Sequence, residues 1–132
     1  MILRVMQLTI LFTDQAIRIA NVSPGESAGA LLEFQGIVRG IEDGATIGGL
    51  LYEIYQPMAE RMIRRIAEEL SAEHPCHVFH IVHRHGLVPT GEAAIYVRIE
   101  ASHRSEAIRM LELFMNRLKA EVPIWKSGTV PC

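Results

Sequence analysis

The chain has 132 residues, 49% of them hydrophobic and 21% charged, with thirteen Lys and Arg against fifteen Asp and Glu for a net charge of −2. One domain of ordinary size accounts for that length, so separate cofactor and substrate domains are excluded, as is a disordered or collagen-like chain. The slight negative charge argues against a general nucleic-acid binder, which needs a broad basic surface to displace counterions, yet it leaves room for a small basic pocket.

The expected elements follow in chain order. The apolar N-terminus raises the question of a signal peptide, but Arg4, Gln7 and Thr9 interrupt it and no small-residue cleavage site follows closely. No run approaches the roughly 18 uninterrupted apolar residues of a membrane span. Cys76 and Cys132 form no framework or CxxC motif, so a reducing, cytoplasmic setting is expected. Gln7 to Phe12 reads as a strand, 22–27 as a loop, and Gly29 to Arg39 as a second strand closed by a turn at Asp43-Gly44. Leu50 to Tyr55 is a further strand.

Pro57 then opens a helix where its missing N–H costs least. Met58, Met62, Ile63, Ile66, Ala67 and Leu70 make the inner face of that helix. His77 to His83 returns to strand, Gly86 to Gly91 is a connection, and the alternation from Glu92 to Ala101 marks the clearest strand. Ser102 is the expected N-cap of a second helix running to about Ala120, with Ala107, Ile108, Leu111, Phe114, Met115 and Leu118 inward. Pro123 ends it, and Ile124-Trp125-Lys126 follows as a short extended tail. The order predicts an α+β fold over residues 1–132, with an antiparallel sheet carrying two helices on one face.

Histidines 74, 77, 80, 83 and 85 lie with Cys76 within twelve residues and invite a metal site. Strand alternation separates them: His77 and His83 would stand about 20 Å apart, too far for one ion. No metal ligands are therefore expected. Ser102-His103-Arg104 sits at a strand-to-helix junction, where unpaired N–H groups and an added guanidinium make an anion cradle. The alternative is a capped helix whose cations point to solvent. Lys119, in a last helical turn, is stabilised by the helix dipole, and the turn at Pro123 could fold Lys126 back toward it. Two such ammonium groups would depress each other's proton affinity, as proton transfer requires. Arg39 ends its strand, and Gly36 within that strand marks a bulge or close approach. No hydrolase triad or Gly-rich phosphate loop appears.

Five segments together resemble the large, catalytic subunit of molybdopterin synthase: Phe34-x-Gly-x-Val-Arg39, Leu51-Tyr-Glu-x-Tyr55, Ile81-Val-His-Arg-His-Gly86, Ala101-Ser-His-Arg104, and Leu118-Lys119 followed by Pro123-Ile-Trp-Lys126. The resemblance implies an α/β hammerhead-type fold with a small added β subdomain. It implies a homodimer within a heterotetramer, with a small ubiquitin-like sulfur-carrier subunit docked at each end. That carrier would insert its Gly-Gly tail, charged as a thiocarboxylate. Sulfur would pass in two rounds to cyclic pyranopterin monophosphate, forming the molybdopterin dithiolene without metal or organic cofactor.

By the same resemblance, Lys119 is the main catalytic group and Lys126 supports it. Arg39, His103 and Arg104, with backbone at Ile37 and Val38 and with Ser127 and Gly128, would hold the substrate in one cationic pocket. Phe34, Met115 and Pro123 would line the tail channel. Relatives often carry a basic residue where Ile37 stands and continue further past the Trp-Lys pair than Ser127 to Cys132 does here. A carrier-docking module without turnover is the alternative; the retained lysines argue against it.

Overall fold

A computed structural model describes residues 6–19 and 21–132. Residues 1–5 of the apolar N-terminal run, read above as no signal peptide, lie outside the described residues. The main sheet has four strands in the order β1 (Gln7–Thr13), β6 (Val78–Arg84), β8 (Ala93–Ala101) and β2 (Ala30–Ile37). β8 pairs antiparallel with both neighbours, as expected, whereas β1 runs parallel to β6, with Gln7 opposite Val78 and Thr13 opposite Arg84. The parallel pair joins strands far apart in sequence, so no short turn could reveal its direction.

Helices α1 (Gln56–Glu73) and α2 (Arg104–Glu121) cover one face of this sheet. Pro57 stands in the first turn of α1, and Ala59, Ile63, Ile66, Ala67 and Leu70 form its buried stripe. On α2 the stripe is Ala107, Met110, Phe114 and Leu118. These meet Phe79, Ile81, Ile95, Val97 and Ile99 from the strands, with Phe79 and Phe114 ring centroids 4.6 Å apart. Met58 and Ile108, both placed inward by the sequence reading, are instead 41% and 51% exposed. Small Ala59 and flexible Met110 fill inner positions instead, one residue on from Met58 and two on from Ile108.

A second sheet, ordered β7 (Gly86–Pro89), β5 (Gly49–Ile54) and β9 (Ile124–Val130), forms the small β subdomain. Two sequence expectations change here. Gly86 to Gly91 is not merely a connection, because its first four residues pair with β5, Leu87 opposite Leu51. Nor does the extended segment after Pro123 stop at Lys126: it continues to Val130, with Gly128 opposite Leu51 and Val130 opposite Gly49. A four-residue edge strand ending in proline, and a strand interrupted by Ser127-Gly128, carry too little alternation to be seen in sequence.

Between β2 and β5, β3 (Ile41–Glu42) and β4 (Ala45–Thr46) make a hairpin. Asp43 and Gly44, at φ of 50° and 79°, supply the two left-handed residues of its tight turn. Gly36 marks the expected irregularity. The β2–β8 register shifts between Gly36 and Ile37, and a Cβ on Gly36 would lie 2.6 Å from Ile95 Cγ2. The sheet face away from the helices is crossed by the segment before β2: Val22 carbonyl accepts from Arg98 Nη2 at 3.0 Å, and Gly25 N–H donates to Glu100 Oε1 at 2.9 Å. Arg98 and Glu100 are therefore buried together on β8, the face the alternation left as mixed.

Candidate active site

The candidate residues divide between the two ends of this layer. At one end, β8 finishes at Ala101 and α2 begins at Arg104, with His103 as an extended N-cap residue that makes no side-chain cap bond. Ser102 is not the cap. Its hydroxyl meets His77 Nε2 at 2.9 Å, so it is spent on the residue before β6 and leaves the first N–H groups of α2 open. His103 and Arg104 are exposed, and with Gly29, Ser102 and Ser105 they border an open concavity of about 510 Å³. The concavity depends on the chain passing tightly beneath it: a Cβ on Gly29 would lie 2.1 Å from the Ser102 carbonyl oxygen. Glu106 is the acidic residue in the first turn of α2, 3.4 Å from His74 Nδ1, and partly offsets the two basic side chains at this helix end.

At the other end stand Arg39, Lys119 and Lys126, all exposed. Antiparallel pairing of β2 with β8 carries Arg39 to the start of β8, since Ala30 faces Ala101 while Ile37 faces Ala93. α2 doubles back over the sheet and brings Lys119 to that same end. Arg117, two residues earlier, is engaged by Glu69 and Glu121 at 2.7 Å each, whereas Lys119 makes no ion pair among the described residues. Lys126 lies opposite Tyr52 on β5, with Nζ 3.9 Å from Glu42 Oε1. Tyr52 packs against the small apolar cluster of Val38, Ile47, Leu50, Val88 and Ala94, so the strand ends bearing Arg39 and Lys126 share one support. Burial, and secondarily the Glu42 carboxylate, push the Tyr52 phenol above its ordinary range, keeping it a neutral O–H donor.

The remaining predicted positions fall near this second group. Ile37 is 47% exposed and Val38 buried. Phe34 and Met115 are half-buried and pack against the main core, and Met115 stands one turn before Lys119 on α2. Pro123 is half-buried, its carbonyl accepting the Tyr55 N–H at 3.1 Å. Ser127 is exposed, its hydroxyl donating weakly to the Leu51 carbonyl at 3.4 Å, and Gly128 is half-buried.

The single chain does not gather all these residues into one pocket, as the sequence reading had them. Arg104 and Lys119 are separated by fifteen helical residues, about 22 Å along the axis. One substrate phosphate cannot touch both. The histidine-rich strand is likewise divided: His83 is buried beside Tyr52, with ring centroids 5.4 Å apart, and His80 faces Tyr96 across the other side of the sheet. No three His, Cys, Asp or Glu side chains among the described residues come together to hold an ion. No described helix is long and apolar enough to cross a membrane. Glu42 and Tyr52 are the site neighbours that sequence reasoning missed; Tyr52 lay in a quoted motif but had no assigned role.

A family model described as MoaE protein matches residues 11–121. The chain belongs to the MoaE family. Two curated relatives, each called molybdopterin synthase catalytic subunit, come from Bos taurus, 34% identical over 120 residues, and Oryza sativa subsp. indica, 38% identical over 100 residues. Those matches take in 89% and 76% of this MoaE-family chain, but only 64% and 52% of the relatives' own lengths. The crystal structure of molybdopterin synthase from Staphylococcus aureus superposes with a TM-score of 0.77 at 29% identity, over 95% of this chain and 94% of that one. The α+β architecture with its added β subdomain is thus that of the MoaE family.

Proposed function

We propose that this chain is the catalytic subunit of a molybdopterin synthase, moving sulfur from the C-terminal thiocarboxylate of a small ubiquitin-like carrier to cyclic pyranopterin monophosphate. Family membership supports the reading, and one structural observation carries it. Four cations and a histidine, Arg39, Lys119, Lys126, Arg104 and His103, stand exposed at the two ends of one helix-on-sheet layer, and of these only Lys126 has an ion-pair partner among the described residues, Glu42 at 3.9 Å. Both reactants are anions, so a pocket lined by such groups lowers the cost of bringing them together.

Because the two groups stand at opposite ends of α2, a complete site needs two copies. In a homodimer with twofold symmetry, His103 and Arg104 of one copy meet Arg39, Lys119 and Lys126 of the other, and the symmetry makes two such sites. Arg104 and the open N–H groups of α2 bind phosphate, as helix starts do. Lys119 stabilises negative charge developing as sulfur leaves the carrier's carbonyl carbon, and moves a proton in that step. In each round the carrier's C–S bond and one pterin C–O bond break as a pterin C–S bond forms. The displaced pterin oxygen leaves as water or stays on the phosphate where the cyclic ester opens, and water supplies the oxygen that returns the carrier as a carboxylate. The carrier tail runs along the half-buried Phe34, Met115 and Pro123.

The test is reconstitution: the protein, a thiocarboxylated carrier and the cyclic precursor are combined and dithiolene product is assayed. Product formation proportional to carrier consumed, two carriers per product, is expected. A stable complex with the carrier and no product would favour the docking-module reading.

A further inference from the structure

Arg84 ends β6 and is employed by none of the chemistry above, although it stands within the Ile81–Gly86 motif. Its side chain is only 10% exposed. Nη1 donates to Glu92 Oε1 at 2.7 Å, and Nε is buried without a hydrogen-bond partner among the described residues. A buried guanidinium is a costly way to fill space, since an apolar side chain of similar size would avoid the desolvation. What the charged pair adds is direction, a short bond of fixed geometry.

That direction leads to Arg39. The Glu92 carbonyl accepts the Val38 N–H at 3.0 Å, and the Val38 carbonyl accepts the Gly91 N–H at 2.8 Å. Val38 is therefore held on both its backbone groups by the Gly91–Glu92 turn, and its side chain is buried at 3% exposure. Arg39 is the next residue and projects from this anchored point into solvent. The β2 bulge at Gly36 and Ile37 breaks regular pairing just before it, so the sheet ladder alone does not fix where Arg39 starts.

We propose that the Arg84–Glu92 pair is a positioning device for Arg39: it fixes the turn, the turn fixes Val38, and Val38 sets where the Arg39 guanidinium meets the substrate phosphate. This rests on the reading of Arg39 as a phosphate-holding residue. Arg84 itself touches no reacting atom.

Steady-state kinetics of the carrier-loaded enzyme with the cyclic pterin phosphate test it. Arg84→Gln is expected to raise KM for the pterin about tenfold with kcat within about twofold. Arg84→Lys restores most of the loss, and Glu92→Gln added to Arg84→Gln changes little further, because both break one link. In an Arg39→Ala background, Arg84→Gln leaves KM where Arg39→Ala alone puts it. Should Arg84→Gln fail to fold, Glu92→Gln, which keeps size and buried contacts, carries the same expectation. An unchanged KM in Arg84→Gln or Glu92→Gln, with a raised KM in Arg39→Ala, overturns the inference and leaves the functional reading intact. Equal falls in kcat and thermal stability with no rescue by lysine also overturn it, assigning Arg84 to fold maintenance. An unchanged KM in Arg39→Ala removes the role of Arg39 and this inference with it.

Discussion

Lys119 and Lys126 carry the same charge in different company. Lys126 has a carboxylate, Glu42, at 3.9 Å and a phenol opposite it in the sheet, whereas Lys119 closes α2 with its neighbour Arg117 already consumed by Glu69 and Glu121. An ammonium free of competing carboxylates is the better one to meet an arriving anion. Lys119→Ala is therefore expected to abolish product while leaving the carrier complex intact by gel filtration; normal turnover would contradict the assignment. Arg104→Ala is expected to weaken precursor binding by about tenfold or more, the value of a lost charge-assisted bond, with little change in carrier affinity, as read by calorimetry. Equal loss of both would indicate misfolding. Residue types at these positions were legible in sequence because motifs name them. Their partners were not: nothing in Gly40 to Gly44 announces that a hairpin brings Glu42 to Lys126, and nothing in Ser102 says that His77 takes its hydroxyl.

Strands β2 and β6 show how local chemistry sets the site's frame. A side chain at Gly36 would enter Ile95, so Gly36→Val is expected to cost about 1–3 kcal/mol by overpacking and to lower the melting temperature of the chain. His83 gives a pH signature. Burial holds its imidazole below the ordinary 6.5, with the bond from its ring nitrogen to the Arg84 carbonyl opposing that shift. His80 moves the same way, through burial and then Arg98. The unfolded chain thus takes up these protons first as pH falls. Their contribution is complete above about pH 6.5 and is lost as the pH drops through the native values. Denaturant titrations between about pH 7.5 and 5.5 are expected to show His83→Gln less stable than the parent at the upper end but with a shallower decline; parallel declines would contradict it. Element identity was legible wherever periodicity ran for seven or more residues, as in β8 and both helices. It failed where tertiary pairing made the strand, as at Gly86–Pro89 and Ser127–Val130, and where a covering segment buried Arg98 and Glu100 on a face that alternation left half polar.

On the proposed function, the whole molecule explains why one copy of the chain would not suffice. Its two cationic groups sit at opposite ends of α2, about 22 Å apart by helical rise, and only a second copy can bring the start of one α2 to the end of another. The α+β class and the helices on one face were within reach of the sequence pattern, whereas the small β subdomain entered only through the family resemblance. The division of the site was not, because spacing along a chain says which residues belong to an element but not which end of a neighbour they face. The most direct measurement mixes Lys119→Ala with Arg104→Ala through dissociation and reassociation of the dimer, at a precursor concentration low enough that the weakened binding of Arg104→Ala leaves it little turnover of its own. Half the resulting dimers pair one variant with the other, and each of these holds one intact site. Activity is predicted to recover to about a quarter of the parent level, whereas mixtures no more active than Arg104→Ala alone would contradict a site shared between two copies.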